Sequence, residues 1–388
     1  MRVIQIVAGV IAQASGPAYC VPGIVRGLCS SNVDAIVYTP GNCPPRDMGF
    51  PLKMFLRTPL EKKLSSLGTC KGLYRGLIGA LPDVDIVHTN GLWMLTTVYP
   101  AWAFRHIRLR GGRCDAKFVI SPHGAFAAWA LRKGWLKKKV FGYLLQNNVL
   151  RKADMFHATS VKEYEEIRAV GYRQPVAIVP FGMDMPDVKS HVKEDGERIR
   201  KILFFGRLHK VKGIDRLIRA WGEVAREGWE LVIAGPDCGM LEELKEIVAE
   251  RKLPRVSFMG EINGHAKYEF LAGGDIYVLP SDTENFGVTV TEALVSGTPV
   301  IASQGTPWQG LERERCGKWV PIGVEPLAVA LKEMMAMSDE ERAAMGARGR
   351  EWIRRDFSWK GIGAKMKAAY EWLLAPEKVE RPEWVVCD

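Results

Sequence analysis

Seven residues separate Glu284 from Glu292 in the segment SDTENFGVTVTEALVSGTPVIA, residues 281–302. The apolar runs DIYVLP before it and PVIA within it read as strands, and the stretch from Val288 reads as a helix. Glu284 then falls in the loop at the carboxyl end of a strand, with Asn285 and Gly287 marking the helix start. Glu292 falls about one and a half turns into that helix. Doubly wound folds bind anions at this place, because backbone N–H groups and the helix dipole point at the ligand. A carboxylate beside such amides is suited to the hydroxyls of a sugar or ribose, which it holds by charge-assisted hydrogen bonds. The plain alternative is that Glu284 caps the helix and Glu292 lies on a solvated face. Either glutamate alone fits that alternative, whereas the pair in this setting fits ligand binding better.

A second segment, FFGRLHKVKGIDR (204–216), ends a strand at Gly206 and places Arg207, Lys210 and Lys212 ahead of a helix at Gly213. Cations and a glycine turn at a strand end make a clamp for a pyrophosphate. The G-x-x-x-x-G-K-[ST] spacing of a P-loop is absent. The third segment is SPHG (121–124), where His123 sits at a strand's carboxyl edge; a lone histidine there is more often a structural hydrogen-bonder. The fourth is SGP (15–17), in the loop after the first strand, with a helix expected from about Val21. It lacks G-x-G-x-x-G, so it gives little support to a dinucleotide. Trp308, in QGTPWQGL, suits stacking on a sugar and ordinary packing equally.

The elements that must position these residues alternate regularly. Strands are expected at 3–7, 35–39, 85–88, 118–121, 155–158 and 176–179, then at 201–205, 230–234, 256–259, 276–279 and 299–302. Helices are expected at 161–170, 213–227, 240–250 and 288–295. Alternation of this kind gives parallel sheets covered by helices on both faces. With 388 residues the chain exceeds what one core supports, so two domains are expected. The polar, proline-containing stretch DMPDVKSHVKEDGER (184–198) divides them. The domains are set at 1–185 and 200–360, with 186–199 as the linker and 361–388 as a charged C-terminal helix and tail packing back toward the first domain.

Composition bounds the class further. Hydrophobic residues at 47% and charged residues at 25% are those of an ordinary folded protein. Residues 1–12 read as a buried strand rather than a secretion signal. No run approaches the roughly 18 to 20 apolar residues that span a bilayer, which points to the cytoplasm. The eight cysteines form no C-x-x-C pair and read as reduced, structural thiols. The net charge of +10 is lopsided: residues 1–187 hold 24 Lys and Arg against 12 Asp and Glu.

The set SPHG, FFGRLHKVKG and ENFGVTVTE, in this order, resembles the retaining glycosyltransferases of family 4, of GT-B fold, over nearly the whole chain. The resemblance implies an α/β protein with two doubly wound, Rossmann-like domains facing a central cleft, the nucleotide-sugar donor being held mainly by the second. It implies that Arg207 and Lys212 bind the donor diphosphate, that Glu284 meets the transferred sugar's hydroxyls and that Glu292 meets the ribose hydroxyls. Gly206 ends the strand that carries this clamp. Backbone amides of Asn285, Phe286 and Gly287 would help hold sugar and phosphate. His123 matches a position near the sugar and the reaction centre, and Ser15 and Gly16 match a loop near the phosphates that often carries two glycines and here carries one. His123, Glu284, Arg207 and Lys212 are thus the candidate catalytic groups. The implied reaction retains the anomeric configuration by front-face attack and uses no essential metal and no cofactor, the nucleotide-sugar being a substrate. Two cations and helix-terminus dipoles can stabilise the leaving diphosphate without Mg2+, and no Asp-x-Asp element is present.

The stretch WALRKGWLKKKVFGYLLQNNVLRK (129–152) has seven basic residues and no acidic one. Trp129, Arg132, Lys133, Trp135, Lys137, Lys138 and Lys139 give it the look of a membrane-surface element. Anionic lipid attracts each such cation with about 1 kcal/mol. The alternative is a buried helix whose lysines reach out to water. The expected partners are a GDP- or UDP-sugar, a lipid-linked saccharide acceptor as in lipopolysaccharide or exopolysaccharide assembly, and an anionic bilayer at the inner face of the plasma membrane, with no nucleic acid. Two rivals remain: a nucleotide-sugar epimerase of the same fold, and a non-catalytic nucleotide-sugar-binding protein. Fold alone does not separate them.

Overall fold

The computed structural model describes residues 1–10, 16–42, 48–132, 134–187 and 198–387. The chain forms two compact units, Met1–Gly182 together with Trp359–Asp388, and Met183–Ser358. The second unit begins earlier than the linker reading placed it, because the Met183 amide donates to the Phe357 carbonyl at 2.7 Å and the segment bridges Ser358. Of the expected linker, 188–197 lie outside the described residues.

In the first unit the strands are β1 (Arg2–Val7), β2 (Asp34–Gly41), β3 (Leu52–Leu56), β4 (Ile86–Asn90), β5 (Lys117–Ser121), β6 (Met155–Ala158) and β7 (Val176–Ile178). In the second they are β8 (Arg200–Phe205), β9 (Trp229–Ala234), β10 (Val256–Gly260), β11 (Ile276–Leu279), β12 (Val300–Ser303) and β13 (Gly317–Val320), and β14 (Val385–Val386) returns to the first sheet. The orders are β14-β7-β6-β5-β4-β1-β2-β3 and β10-β9-β8-β11-β12-β13. All pairs are parallel except β14 with β7. Each order reverses beside its first strand, between β1 and β4 and between β8 and β11, where a doubly wound sheet opens a ligand crevice at its strands' carboxyl ends. The edge strands β3, β13 and β14 were not anticipated; β3 and β13 are only half-buried, so they lack the unbroken apolar run that marks the central strands.

The first helix, Gly16–Ser30, starts at Gly16 rather than near Val21. Pro22 lies inside it, and the apolar run that suggested the later start begins only in its second turn. The C-terminal helix Trp359–Leu374 crosses it closely. A Cβ on Gly27 would lie 2.1 Å from the Trp359 carbonyl oxygen, so any larger residue would push the helices apart. This crossing brings the C-terminal helix onto the first sheet.

The two faces of that sheet differ. Ile4, Ile6, Val87, Ile120 and Phe156 pack into the apolar core with Leu73, Leu77 and Val98. Each such buried side chain contributes about 1.5–3 kcal/mol. The alternate residues Gln5, His88, Asn90, Ser121 and His157 are polar and equally buried. Strand periodicity puts them together, with Gln5 level with His88 and Asn90 level with Ser121.

Candidate active site

In the second unit, β8 ends at Phe205 and the chain turns through Gly206 to a short 3-10 turn, Lys210–Lys212. Gly213, at φ 63°, ends that turn and starts the helix Ile214–Val224. A Cβ there would meet the Pro280 carbonyl oxygen at 2.4 Å, so glycine is required for the loop to approach the end of β11. The approach is fixed by three further bonds. The Asp282 amide donates to the Val211 carbonyl at 2.8 Å, and Arg216 reaches Asp282 Oδ1 at 2.6 Å and the Pro280 carbonyl at 2.9 Å.

The result is that the two motif segments meet. Lys212 Nζ lies 2.6 Å from Glu284 Oε1, with side chains 12% and 14% exposed. Ser281 Oγ donates to the same carboxylate oxygen at 2.7 Å. Arg207 is exposed beside this turn. Glu284 lies in the loop and caps no helix by its side chain: the helix Val288–Val295 begins after Gly287 with no side-chain cap. Glu292 is buried, not on a solvated face, and forms an ion pair with Lys267. Burial raises the Glu292 carboxyl above the ordinary range, against the pull of Lys267. Burial also works against the Lys267 charge, but the adjacent carboxylate outweighs it and the ammonium is held above its ordinary value.

Phe286 is buried, and its carbonyl accepts a 2.5 Å hydrogen bond from Trp308 Nε1. Trp308 packs among Phe286, Trp352 and Phe357, all within 5.6 Å between ring centres. It is a buried support for the 285–287 loop, which leaves no face for stacking on a sugar.

In the first unit the SPHG turn follows β5. His123 has φ 53°, an uncommon conformation for a residue with a side chain, and its Nε2 meets Asn90 Oδ1 at 2.9 Å. The Gly124 amide donates to Glu163 Oε1 at 2.8 Å, while Glu163 Oε2 accepts from the Thr159 amide and hydroxyl. Glu163, in the first turn of the helix Val161–Ala169, therefore pins the turn from below. Burial pulls His123 down to about 3, with His157 adding to the fall, so its ring is neutral near pH 7. Gly16 is the first residue of its helix; Ser15 lies outside the described residues.

The basic stretch is not one buried helix. It forms the helices Ala128–Arg132 and Trp135–Phe141, a π-helical turn Gly142–Gln146 and the helix Asn147–Leu150. Leu131, Phe141 and Leu145 pack on the core. Trp129, Trp135, Leu136, Val140, Tyr143 and Leu144 are exposed, Trp135 at 60% and Tyr143 at 83%. Arg132, Lys137 and Lys139 are exposed with them, whereas Lys138 turns inward to the Ala130 carbonyl; Lys133 lies outside the described residues.

Lys267, Ser281, Glu163, Gln5 and Asn90 were not singled out from the sequence. The signal for Gln5 and Asn90 was present: polar residues inside otherwise apolar, buried central strands.

Residues 187–352 match the family described as glycosyl transferases group 1, and residues 15–182 match the glycosyl transferase 4-like domain. The chain is 27% identical over 285 residues to the GDP-mannose-dependent monoacylated alpha-(1-6)-phosphatidylinositol monomannoside mannosyltransferase of Corynebacterium glutamicum, covering 65% of this chain and 69% of that one. Its fold is similar to that of sucrose-phosphate synthase from Thermosynechococcus elongatus (TM-score 0.73, 20% identity, 97% of this chain and 100% of that one). It is also similar to that of HepE of Anabaena, solved in complex with UDP and glucose (TM-score 0.72, 17% identity, 96% and 99%).

Proposed function

The chain belongs to family 4 of the glycosyltransferases, of GT-B fold, and is a transferase using a nucleotide-sugar donor; from that premise we propose that it transfers the sugar with retention and without a metal to a lipid-linked saccharide in lipopolysaccharide or exopolysaccharide assembly. The observation that carries the site reading is the contact of Lys212 with Glu284, which joins the two motif segments at the carboxyl ends of β8 and β11. When a donor enters, its diphosphate competes with Glu284 for Lys212. The ammonium and Arg207, with the amides of residues 285–287, then face the phosphates. Glu284 is released to accept hydrogen bonds from the sugar hydroxyls, and Glu292, held by Lys267, takes the ribose hydroxyls.

In the reaction the bond from the anomeric carbon to the phosphate oxygen breaks, and the acceptor oxygen bonds to that carbon from the same side. The departing phosphate oxygen is the nearest base for the acceptor's proton. The charge that develops on it is stabilised by Lys212 and Arg207, which are in place before the reaction. His123, neutral and fixed in its turn, contacts the sugar.

The acceptor's lipid part and the membrane surface are supported by the exposed Trp129, Trp135, Leu136, Val140, Tyr143 and Leu144 among Arg132, Lys137 and Lys139. Apolar and cationic side chains interleaved in this way settle at an anionic interface. Among the described residues no helix is long and apolar enough to cross a membrane, and we place the protein at the inner face of the plasma membrane as a peripheral protein.

Thermal shift against GDP, UDP, ADP and their sugar conjugates, with and without EDTA, tests the donor reading. A selective rise in melting temperature that persists in EDTA is expected. A rise abolished by EDTA and restored by Mg2+ would overturn metal independence, and NMR of the product's anomeric proton would report retention or inversion.

A further inference from the structure

Behind His123 runs a chain of buried hydrogen bonds whose direction is set at both ends by backbone carbonyls, which can only accept. His157 Nε2 lies 2.7 Å from the Val179 carbonyl oxygen, so that nitrogen carries the proton and Nδ1 is bare. Ser121 Oγ, 2.7 Å from that Nδ1, must donate to it, and so accepts from His88 Nε2 at 2.6 Å. His88 Nδ1 is then bare in turn. It accepts from the Tyr370 hydroxyl at 2.6 Å and from Gln5 Nε2 at 3.1 Å. At the other end, Asn90 Nδ2 donates to the Ile6 carbonyl at 3.2 Å and to Gln5 Oε1 at 2.8 Å. That leaves Asn90 Oδ1 facing His123, whose Nε2 must therefore be the N–H.

The two ends agree at Gln5, whose nitrogen faces His88 and Tyr370 (2.9 Å) and whose oxygen faces Asn90. Flipping either amide would set like atoms against each other. Burial keeps all three rings uncharged: His88 is pushed well below its ordinary value, His157 to about 4 and His123 to about 3. Gln5, His88, Ser121, His157 and Tyr370 are fully buried, so the chain exchanges no partners with water. His123 differs in being only half-buried, and its Nδ1 has no hydrogen-bond partner among the described residues. A buried acceptor left unmet costs about 1–3 kcal/mol, as does a side chain held at positive φ. Both together mark a group kept ready for a ligand.

We propose that Gln5 and Asn90 are positioning residues that hold His123 in a single tautomer, Nε2–H, so that it presents a bare Nδ1 to a hydroxyl of the bound sugar. His123 is then a hydrogen-bond acceptor for an alcohol and not the acid that protonates the leaving phosphate. The inference rests on the reading of His123 as a residue of the donor site.

The test is a long-range 1H–15N spectrum of the full chain with 15N-labelled histidine, which reads the tautomer directly and needs no substitution. One neutral Nε2–H form of His123 from pH 8 to pH 5 is expected. An Nδ1–H form, a mixture, or a ring that titrates near pH 6.5 overturns the proposal. Asn90→Leu should give a mixture of tautomers and lower kcat roughly 10- to 100-fold with little change in donor KM. Asn90→Asp keeps an acceptor toward Nε2, and should restore the single tautomer and raise the pKa of His123. If Asn90→Leu leaves both tautomer and kcat unchanged, Asn90 does not position the ring. Full turnover by His123→Ala would instead overturn the site reading, while the tautomer result stood.

Discussion

At the carboxyl end of the second sheet the side chains are charged and already paired, Lys212 with Glu284 and Lys267 with Glu292. In the first sheet they are neutral and directional, running from His157 through Ser121 and the mid-strand His88 and Gln5 to Asn90 and His123 at the carboxyl end. The strand orders are alike, so the difference lies in what the strands carry. A site for a diphosphate needs positive charge, and a carboxylate partner keeps that charge ordered until the ligand displaces it. A group that must meet a single hydroxyl needs orientation, which a chain of neutral donors and acceptors supplies with no net charge to bury.

Breaking the charged end should have the largest effect. Lys212→Ala or Glu284→Ala is expected to lower transfer by about 10³-fold, the scale for removing one preorganised stabilising group, with an unchanged far-ultraviolet spectrum. Near-normal turnover in either variant would remove these residues from the site. Lys267→Ala leaves the Glu292 carboxylate, 6% exposed, without its ion partner. A loss of about 3 kcal/mol is expected in urea unfolding, and a double replacement of Lys267 and Glu292 by methionine should lose less. Equal losses would mean that the pair is not coupled.

The neutral end should respond to acid. The unfolded chain takes up protons on its histidines as pH falls through 6.5, while folded His157 and His123 resist until about 4 and about 3. Their contribution to stability is therefore complete above pH 6.5 and is lost as pH falls toward 4. Each group loses about 1.4 kcal/mol per pH unit within its window. In the second unit His209 is half-buried and His265 exposed. Urea midpoints between pH 7 and 4.5, followed by probes in each unit, should fall more steeply for the first; parallel slopes would contradict the neutral chain. The smallest effect concerns the membrane. Replacing Lys137 and Lys139 by serine should weaken binding to anionic liposomes by about 1 kcal/mol each, and Lys138, held by the Ala130 carbonyl, by less. Binding that ignores both salt and these lysines would remove the electrostatic part of the claim.

The charged site was legible in the sequence because its residues lie in two short segments, 204–216 and 281–302, whose spacing reports loop and helix directly. Lys267 escaped notice since it enters from another helix, Ala266–Ala272, and nothing local ties it to Glu292. The neutral chain draws on Gln5, His88, Asn90, Ser121, His157 and Tyr370, spread over almost the whole length, and only strand register and the returning C-terminal helix bring them together. Central strands were readable from their apolar runs, and edge strands such as β3 were not, because half-buried strands mix polar and apolar residues. The start of the first helix, in a segment holding Pro17 and Pro22, was misplaced because the apolar run begins only in its second turn.

The most direct test of the account is calorimetric titration of GDP, UDP and ADP into the wild-type protein and into Lys212→Ala, in EDTA. One nucleoside diphosphate is expected to bind the wild type without metal, with an affinity that falls at least about tenfold in the variant, a loss of about 1.4 kcal/mol. Undiminished binding by Lys212→Ala would contradict the placement of the diphosphate at the Lys212–Glu284 pair.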